Sequence, residues 1–303
     1  MKCEYFSNGK LLLTGEYLVL QGGEAIALPL KTGQYMKIDS IPDNKIIWET
    51  TYQQKKIFQG SFSADNFEII EYTDKNIADY LKNLMVTAFS QTSISIKNGL
   101  LIQTYLDFPL HWGLGSSSTL INNLAKCLHI DPFKLNTDLT GSSGYDIACA
   151  ESNKPILYHN QSGVPEYKKI DWLPFFRENI YFVYTGKKQD SKSEARSFLR
   201  KNFPLKQHIN ELKDINTKIL QSELIEEFDV QIDRHETLLS KLLMKQKARE
   251  AILGNFPGKA KWLGAWGGDF IMLSWRKSKN ELKQYLERHN LSIFFQWDEI
   301  IKS

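Results

Sequence analysis

Residues 113–118 read Gly-Leu-Gly-Ser-Ser-Ser and run straight into the apolar-periodic stretch Thr119–Leu128. A glycine-rich turn that opens into a helix offers free backbone N–H groups at the positive end of the helix dipole, and that combination binds phosphate. Gly113 and Gly115 let an anion approach the backbone closely around Leu114, while Ser116, Ser117 and Ser118 supply hydroxyls for phosphate oxygens or a metal ion. Taken alone, the stretch also fits an ordinary capped helix start. The rest of the chain decides between the two.

Glycine turns recur at Ser7-Asn8-Gly9-Lys10 and at Gly264–Asp269, and Ser142-Ser143-Gly144-Tyr145-Asp146 sits before the last of them. Nucleotide phosphates need backbone donors, a cation to offset their charge, and magnesium held by oxygen ligands. Lys10, Asp146 and the serines at 116–118 are candidates for these roles.

Composition narrows the class. The 303 residues allow one large or two ordinary domains, and 42% hydrophobic with 24% charged residues is the balance of a soluble globular protein. The net charge is only +3 and the lysines are scattered, so no nucleic-acid surface is expected. No apolar run reaches membrane-spanning length and the first residues lack a signal-peptide pattern, which points to a cytoplasmic protein with no membrane partner. Cys3, Cys127 and Cys149 are widely spaced with no paired motif, and are read as reduced thiols rather than a disulfide frame or zinc site.

Along the chain, Lys10–Thr14, Tyr17–Leu20, Ala25–Leu30, 34–38, 45–49 and Lys55–Phe62 read as strands, and Asn76–Gln91 as a helix with Ile77, Tyr80, Leu81, Leu84, Met85 and Ala88 on one face. Gly99–Leu106 is a strand, Asp131–Asn136 a loop or short turn, and Tyr145–Glu151 a helix. Beyond residue 163 the pattern predicts a strand at Ile180–Tyr184, a helix at Ser191–Arg200, and packed helices over Lys206–Leu253. A strand at Phe270–Trp275, a helix at Asn280–His289 and a strand at Ser292–Gln296 follow. The sum is an α+β protein of two lobes, 1–163 and 164–303.

The motifs then match a family. S-N-G-K-L-L-L-T-G-E-Y-L-V-L-Q-G-G at 7–23, G-L-G-S-S-S at 113–118 and G-A-W-G-G-D at 264–269 resemble, in order and spacing, the three motifs of the GHMP small-molecule kinases. G-E-Y at 15–17 and S-G-Y-D-I-A at 143–148 resemble the mevalonate and phosphomevalonate kinase branch, and the latter string a GYDIA-motif subfamily. The resemblance implies a ribosomal-protein-S5-domain-2-like N-terminal lobe that binds ATP, a ferredoxin-like C-terminal lobe, and an active site between them. It also implies transfer of the ATP γ-phosphoryl group to a hydroxyl of a small anionic acceptor, expected to be mevalonate. Phosphomevalonate kinase is the alternative, followed by diphosphomevalonate decarboxylase and a non-catalytic sensor of the same fold.

Carried over residue by residue, Asp146 matches the catalytic aspartate and Lys10 the active-site lysine. Gly113, Leu114, Gly115, Ser116, Ser117 and Ser118 form the ATP phosphate loop, although Ser118 stands where alanine is usual and could simply pack. Glu16, Tyr17, Gly144, Lys192, Gly267 and Gly268 are expected at the acceptor, Lys192 within a cationic run with Lys187, Lys188 and Arg196. Trp266 either walls the acceptor pocket or fills the lobe interface. Mg2+ is expected on Ser117. The glutamate that mevalonate kinases use for it is replaced by Leu135, so Asp138 is the candidate substitute. A monomer or homodimer fits this reading.

Overall fold

The computed structural model describes residues 2–161, 163–188, 191–200 and 205–302, without the side chains of residues 191 and 192. The chain forms two compact units, each assembled from several segments.

The first unit comprises residues 1–9, 32–110 and 114–151. Its strands are the first part of β1 (Cys3–Leu12), the later part of β2 (Ala25–Ile41), β3 (Lys45–Tyr52), β4 (Lys55–Ser63), β5 (Ile69–Tyr72) and β6 (Gly99–Leu106), and the sheet order is β5–β4–β3–β6–β2. Neighbours are antiparallel except β3 and β6, which run parallel from Ile46↔Leu100 to Tyr52↔Leu106. A parallel pair needs a crossover, and α1 (Lys75–Phe89) lies within it. Asp74 starts this helix by accepting from the Ile77 N–H at 3.0 Å.

Three more helices complete the unit: α2 (Ser116–Leu128), α3 (Pro132–Thr140) and α4 (Tyr145–Glu151). The stretch read as a loop or turn at 131–136 is thus the start of a full helix. Asp131 caps it, Pro132 fixes its first φ, and Gly141 closes it in the left-handed region at φ 65°. Met36, Ile38, Trp48, Phe58 and Phe62 of the sheet pack with Leu81, Leu84, Ile121 and Leu124 of the helices, all of them buried. At 25 cal/mol per Å² such side chains each contribute roughly 1.5–3 kcal/mol on burial.

One expectation is overturned here. Cys3 and Cys127 are bonded as a disulfide across 124 residues of sequence, and Cys149 is a buried thiol outside that bond. Their spacing carried no signal because the pairing is made by β1 lying against α2.

The second unit comprises residues 10–31, 111–113 and 152–303. The first residues of β2 pair antiparallel with β7 (Ile156–Gln161), which forms a hairpin with β8 (Val164–Lys169). A four-stranded antiparallel sheet has the order β10 (Ala260–Leu263), β11 (Phe270–Ser274), β9 (Ile180–Tyr184), β12 (Phe294–Gln296). Its helices are α5 (Ser191–Leu199), α6 (Leu205–Gln221), α7 (Ile225–Leu243), α8 (Lys279–Glu287) and the short α9 (Trp297–Ile300). Of the apolar stripe read through Ile209, Leu212, Ile215, Ile219, Leu224 and Phe228, four residues are buried, while Ile209 is half-buried and Leu224, just before α7, is exposed.

Residues 18–21 depart from the sequence reading. They form a single 3-10 turn instead of a strand, because Tyr17 at φ 64° and Gly22 at φ 83° bend the chain at both ends. Among the described residues no helix is long and apolar enough to cross a membrane.

Candidate active site

The glycine-serine turn adopts the geometry an anion cradle requires. Gly115 is the N-cap of α2 in the left-handed region, φ 95° and ψ 32°, and as a glycine it brings no capping side chain. A glycine N-cap leaves the first-turn N–H groups without the oxygen that a Ser, Thr, Asp or Asn cap would supply. Leu114 anchors the turn in the interior at 1% exposure. The Ser118 hydroxyl donates to the Gly115 carbonyl at 2.8 Å and is buried, so it braces the turn from within. Behind it, the Thr119 hydroxyl donates to Gln34 Oε1 (2.7 Å), the Asn123 amide to the Gln34 carbonyl (2.8 Å), and the Ser7 hydroxyl to Asn123 Oδ1 (2.6 Å). This buried network ties β1 and β2 to α2 within the first unit.

Ser117, by contrast, is exposed, and its hydroxyl lies 2.5 Å from the Tyr80 phenol oxygen. Burial pushes the Tyr80 phenol up to about 12 and the charge of Asp146 adds to the rise, while the bond to Ser117 opposes it. Tyr80, Ser117 and Asp146 thus share one neighbourhood, and Tyr80 stays protonated at any physiological pH. Asp146 is half-buried in the first turn of α4, entered through Gly144 at φ 89°, and its Oδ1 accepts from the Ile147 N–H at 3.1 Å. The sequence placed Tyr80 only on an apolar helix face. A phenol within an aliphatic stripe was the available signal, since a buried Tyr hydroxyl seeks a partner.

Asp138 is set apart from Ser117. Its carboxylate accepts from Gln91 Nε2 at 2.9 Å, beyond the end of α1, whereas Ser117 meets Tyr80 in the second turn of that helix. The nine residues of helical rise from Tyr80 to Phe89 alone separate the two points by about 13 Å along the axis. Asp138 and Ser117 are therefore not brought together around one ion. Among the described residues no group of three or more His, Cys, Asp or Glu side chains could hold a metal ion.

In the second unit the third motif meets the edge of the second. A Cβ built on Gly113, whose φ is 69°, would lie 2.4 Å from Asp269 Oδ2. The Asp269 N–H donates to the Lys187 carbonyl at 2.6 Å, and Gly267 turns the backbone at φ 96° just before Gly268. Lys10 is half-buried near the end of β1. Lys187, Lys188 and Arg196 are exposed, and the Lys192 side chain lies outside the described residues.

Glu16 and Tyr17, expected at the acceptor, are internal braces of the second unit. Lys261, itself fully buried, donates to Glu16 Oε1 at 2.5 Å and to the Trp262 carbonyl at 2.6 Å. His235 Nε2 accepts from the Gly15 N–H at 3.1 Å and lies 3.3 Å from Glu16 Oε2. The neighbouring Glu236 accepts from the Trp262 and Ala248 N–H groups, both at 3.0 Å. Burial raises the Glu16 carboxyl against the pull of Lys261, lifts Glu236 to about 7, and drives His235 well down with help from the Lys261 charge. The Tyr17 oxygen accepts from the Trp266 N–H at 2.8 Å, and the buried Trp266 indole donates to the Gln246 carbonyl at 2.9 Å. Lys261, His235 and Glu236 were not singled out in the sequence, since nothing local distinguishes them from surface charges.

No family model matches the chain. Among curated proteins, a galactokinase of Clostridium acetobutylicum is 29% identical over 143 residues, which cover 45% of this chain and 33% of that protein. The match thus spans about a third of the relative's length. Among solved structures, the mevalonate kinase of Methanococcus jannaschii superposes with a TM-score of 0.74 at 17% identity, covering 100% of this chain and 99% of its own. The galactokinase of Lactococcus lactis complexed with galactose gives 0.72 at 16%, covering 99% and 93%. The phosphomevalonate kinase of Streptococcus pneumoniae in complex with phosphomevalonate and AMPPNP gives 0.71 at 15%, covering 97% and 99%. At these identities the likeness is one of fold.

Proposed function

From the GHMP kinase fold that this chain carries, we propose that it is a cytoplasmic ATP-dependent small-molecule kinase that phosphorylates a hydroxyl of mevalonate. The observation that carries the reading is the start of α2, where the N-cap is Gly115 in the left-handed region and brings no capping side chain. Backbone N–H groups there receive the phosphates of ATP, and Ser117 adds a hydroxyl held by Tyr80. Asp146 accepts the proton of the acceptor hydroxyl or orients that hydroxyl for in-line attack. The motif around Lys10 assigns it the cation that offsets charge on the transferring phosphoryl group.

Asp146 and Ser117 present hard oxygen donors in one neighbourhood, which suits Mg2+, an ion that binds one or two protein groups together with phosphates and water. When bound there, the ion would neutralise charge on the phosphates.

The test is ADP release over a panel of mevalonate, phosphomevalonate, diphosphomevalonate, homoserine and galactose. Turnover of mevalonate is expected, and no turnover with any member defeats the proposal. Turnover of phosphomevalonate instead moves the acceptor one phosphate along, and carbon dioxide from diphosphomevalonate makes the chain a decarboxylase. Galactose is the second reading because the curated relative is a galactokinase.

A further inference from the structure

An open cavity of the first unit lies away from the glycine-serine turn. It encloses about 650 Å³ and both members of the disulfide, Cys3 and Cys127, form part of its wall. Lys2, Lys97 and His129 line the same cavity, all three exposed, and among the described residues no aspartate or glutamate does. A reducible bond in a wall whose charged groups are cationic matches one chemistry, a small thiol that carries negative charge.

We propose that this cavity is a thiol–disulfide exchange site for a small anionic thiol. Cys3 is half-buried while Cys127 is 4% exposed, so attack falls on Cys3. The ligand thiolate bonds to Cys3 Sγ as the Cys3–Cys127 bond breaks, and the electron pair leaves on Cys127 Sγ, which takes up a proton. A second ligand thiolate attacks the ligand sulfur of the mixed disulfide and releases Cys3 as a thiol. Two ligand thiols are oxidised to their disulfide and the protein gains two electrons. The exchange bears on the phosphate turn through the fold alone. Cys3 stands four residues before Ser7 on β1 and Cys127 four residues after Asn123 on α2, so the bond adds a covalent rung beside the Ser7–Asn123 hydrogen bond.

The experiment uses the full chain purified without reductant and needs no kinase assay, so it stands or falls apart from the function proposed above. Intact mass after alkylation of denatured protein is expected to count one thiol in glutathione disulfide buffer and three after reduction. Reduction of the native protein is then timed with glutathione, which is anionic, and with neutral 2-mercaptoethanol at matched thiolate concentration. Glutathione is expected to react about fivefold faster, a preference that two exposed ion pairs can supply, and the advantage shrinks in high salt. The double variant Lys2→Ser, Lys97→Ser, which touches only exposed side chains, is expected to erase the preference while leaving the 2-mercaptoethanol rate unchanged. Three thiols under oxidising buffer, equal rates for the two reductants, or a preference that survives the lysine variant would each overturn the proposal.

Discussion

Replacing Lys261 by methionine tests the buried cluster beneath the third motif. The substitution keeps the length of the side chain and removes the charge from a site where Lys261 and Glu16 are 0% and 1% exposed. Breaking such a pair from one side leaves an uncompensated carboxylate in the interior, which costs about 3–5 kcal/mol. The protein has one escape, which is to protonate Glu16. Burial already raises that carboxyl, and the attraction and hydrogen bond of Lys261 are the main opposing influences, so in Lys261→Met its folded-state value climbs further. A carboxyl whose folded value lies above its unfolded value favours the fold at low pH and loses that contribution as pH rises through the folded value.

The neighbours push the same way. Glu236, at about 7 in the parent, loses the Lys261 charge that held it down, and His235 loses the cation that helped suppress its protonation 3.3 Å from Glu16. Lys261→Met should therefore lose about 3–5 kcal/mol at pH 8 and clearly less at pH 5, the deficit shrinking by up to ~1.4 kcal/mol per pH unit for each extra proton bound. Urea unfolding followed by tryptophan fluorescence reads the transition, since Trp262 adjoins Lys261 and Trp266 lies in the next turn. A deficit below about 1 kcal/mol at pH 8, within reach of an exposed pair, or one equal at pH 5 and pH 8, refutes the reasoning. Lys261→Met combined with Glu16→Leu should recover most of the loss, because an apolar pair of similar volume replaces the ion pair.

Other perturbations follow from the site. Gly113→Ala places a Cβ 2.4 Å from Asp269 Oδ2 in a left-handed backbone, so it should cost about 1–2 kcal/mol from the backbone alone and weaken ATP-analogue binding, whereas unchanged melting and affinity would contradict the packing. Tyr80→Phe removes the partner of Ser117, which should cost about 1 kcal/mol of stability and leave the pH profile between 6 and 9 unmoved, because the phenol at about 12 never ionises there. A shifted profile would mean that Tyr80 titrates in that range. Asp146→Asn should lower phosphoryl transfer by about 100-fold or more while ATP binding persists, and activity within about tenfold of the parent would remove Asp146 as the base.

What the sequence made legible was local. Gly99–Leu106, Tyr145–Glu151 and Ile180–Tyr184 are found at the residues read from alternation and periodicity, and the turn at 113–115 was legible because positive φ selects glycine. Leu18-Val19-Leu20 misled because a short apolar run is equally a strand or a buried helical turn. Val164–Lys169 showed no alternation, since every residue of that hairpin arm is exposed or half-buried. The site was legible as motifs and not as partnerships: Tyr80 reaches Ser117 over 37 residues and Cys3 reaches Cys127 over 124. Periodicity carries no information at such separations.

Glu16 shows what that limit does to a functional reading. Its string, G-E-Y, resembles one that faces an acceptor, and a carboxylate beside a glycine turn is a sound candidate for binding hydroxyls. Lys261, 245 residues away, decides otherwise by taking Glu16 Oε1, while His235 occupies the Gly15 N–H on the other side. A carboxylate committed to a buried cation cannot turn to a ligand without abandoning an interaction worth several kcal/mol. The G-E-Y turn is held through Glu16 to Lys261 and through the Tyr17 oxygen to the Trp266 N–H of the third motif.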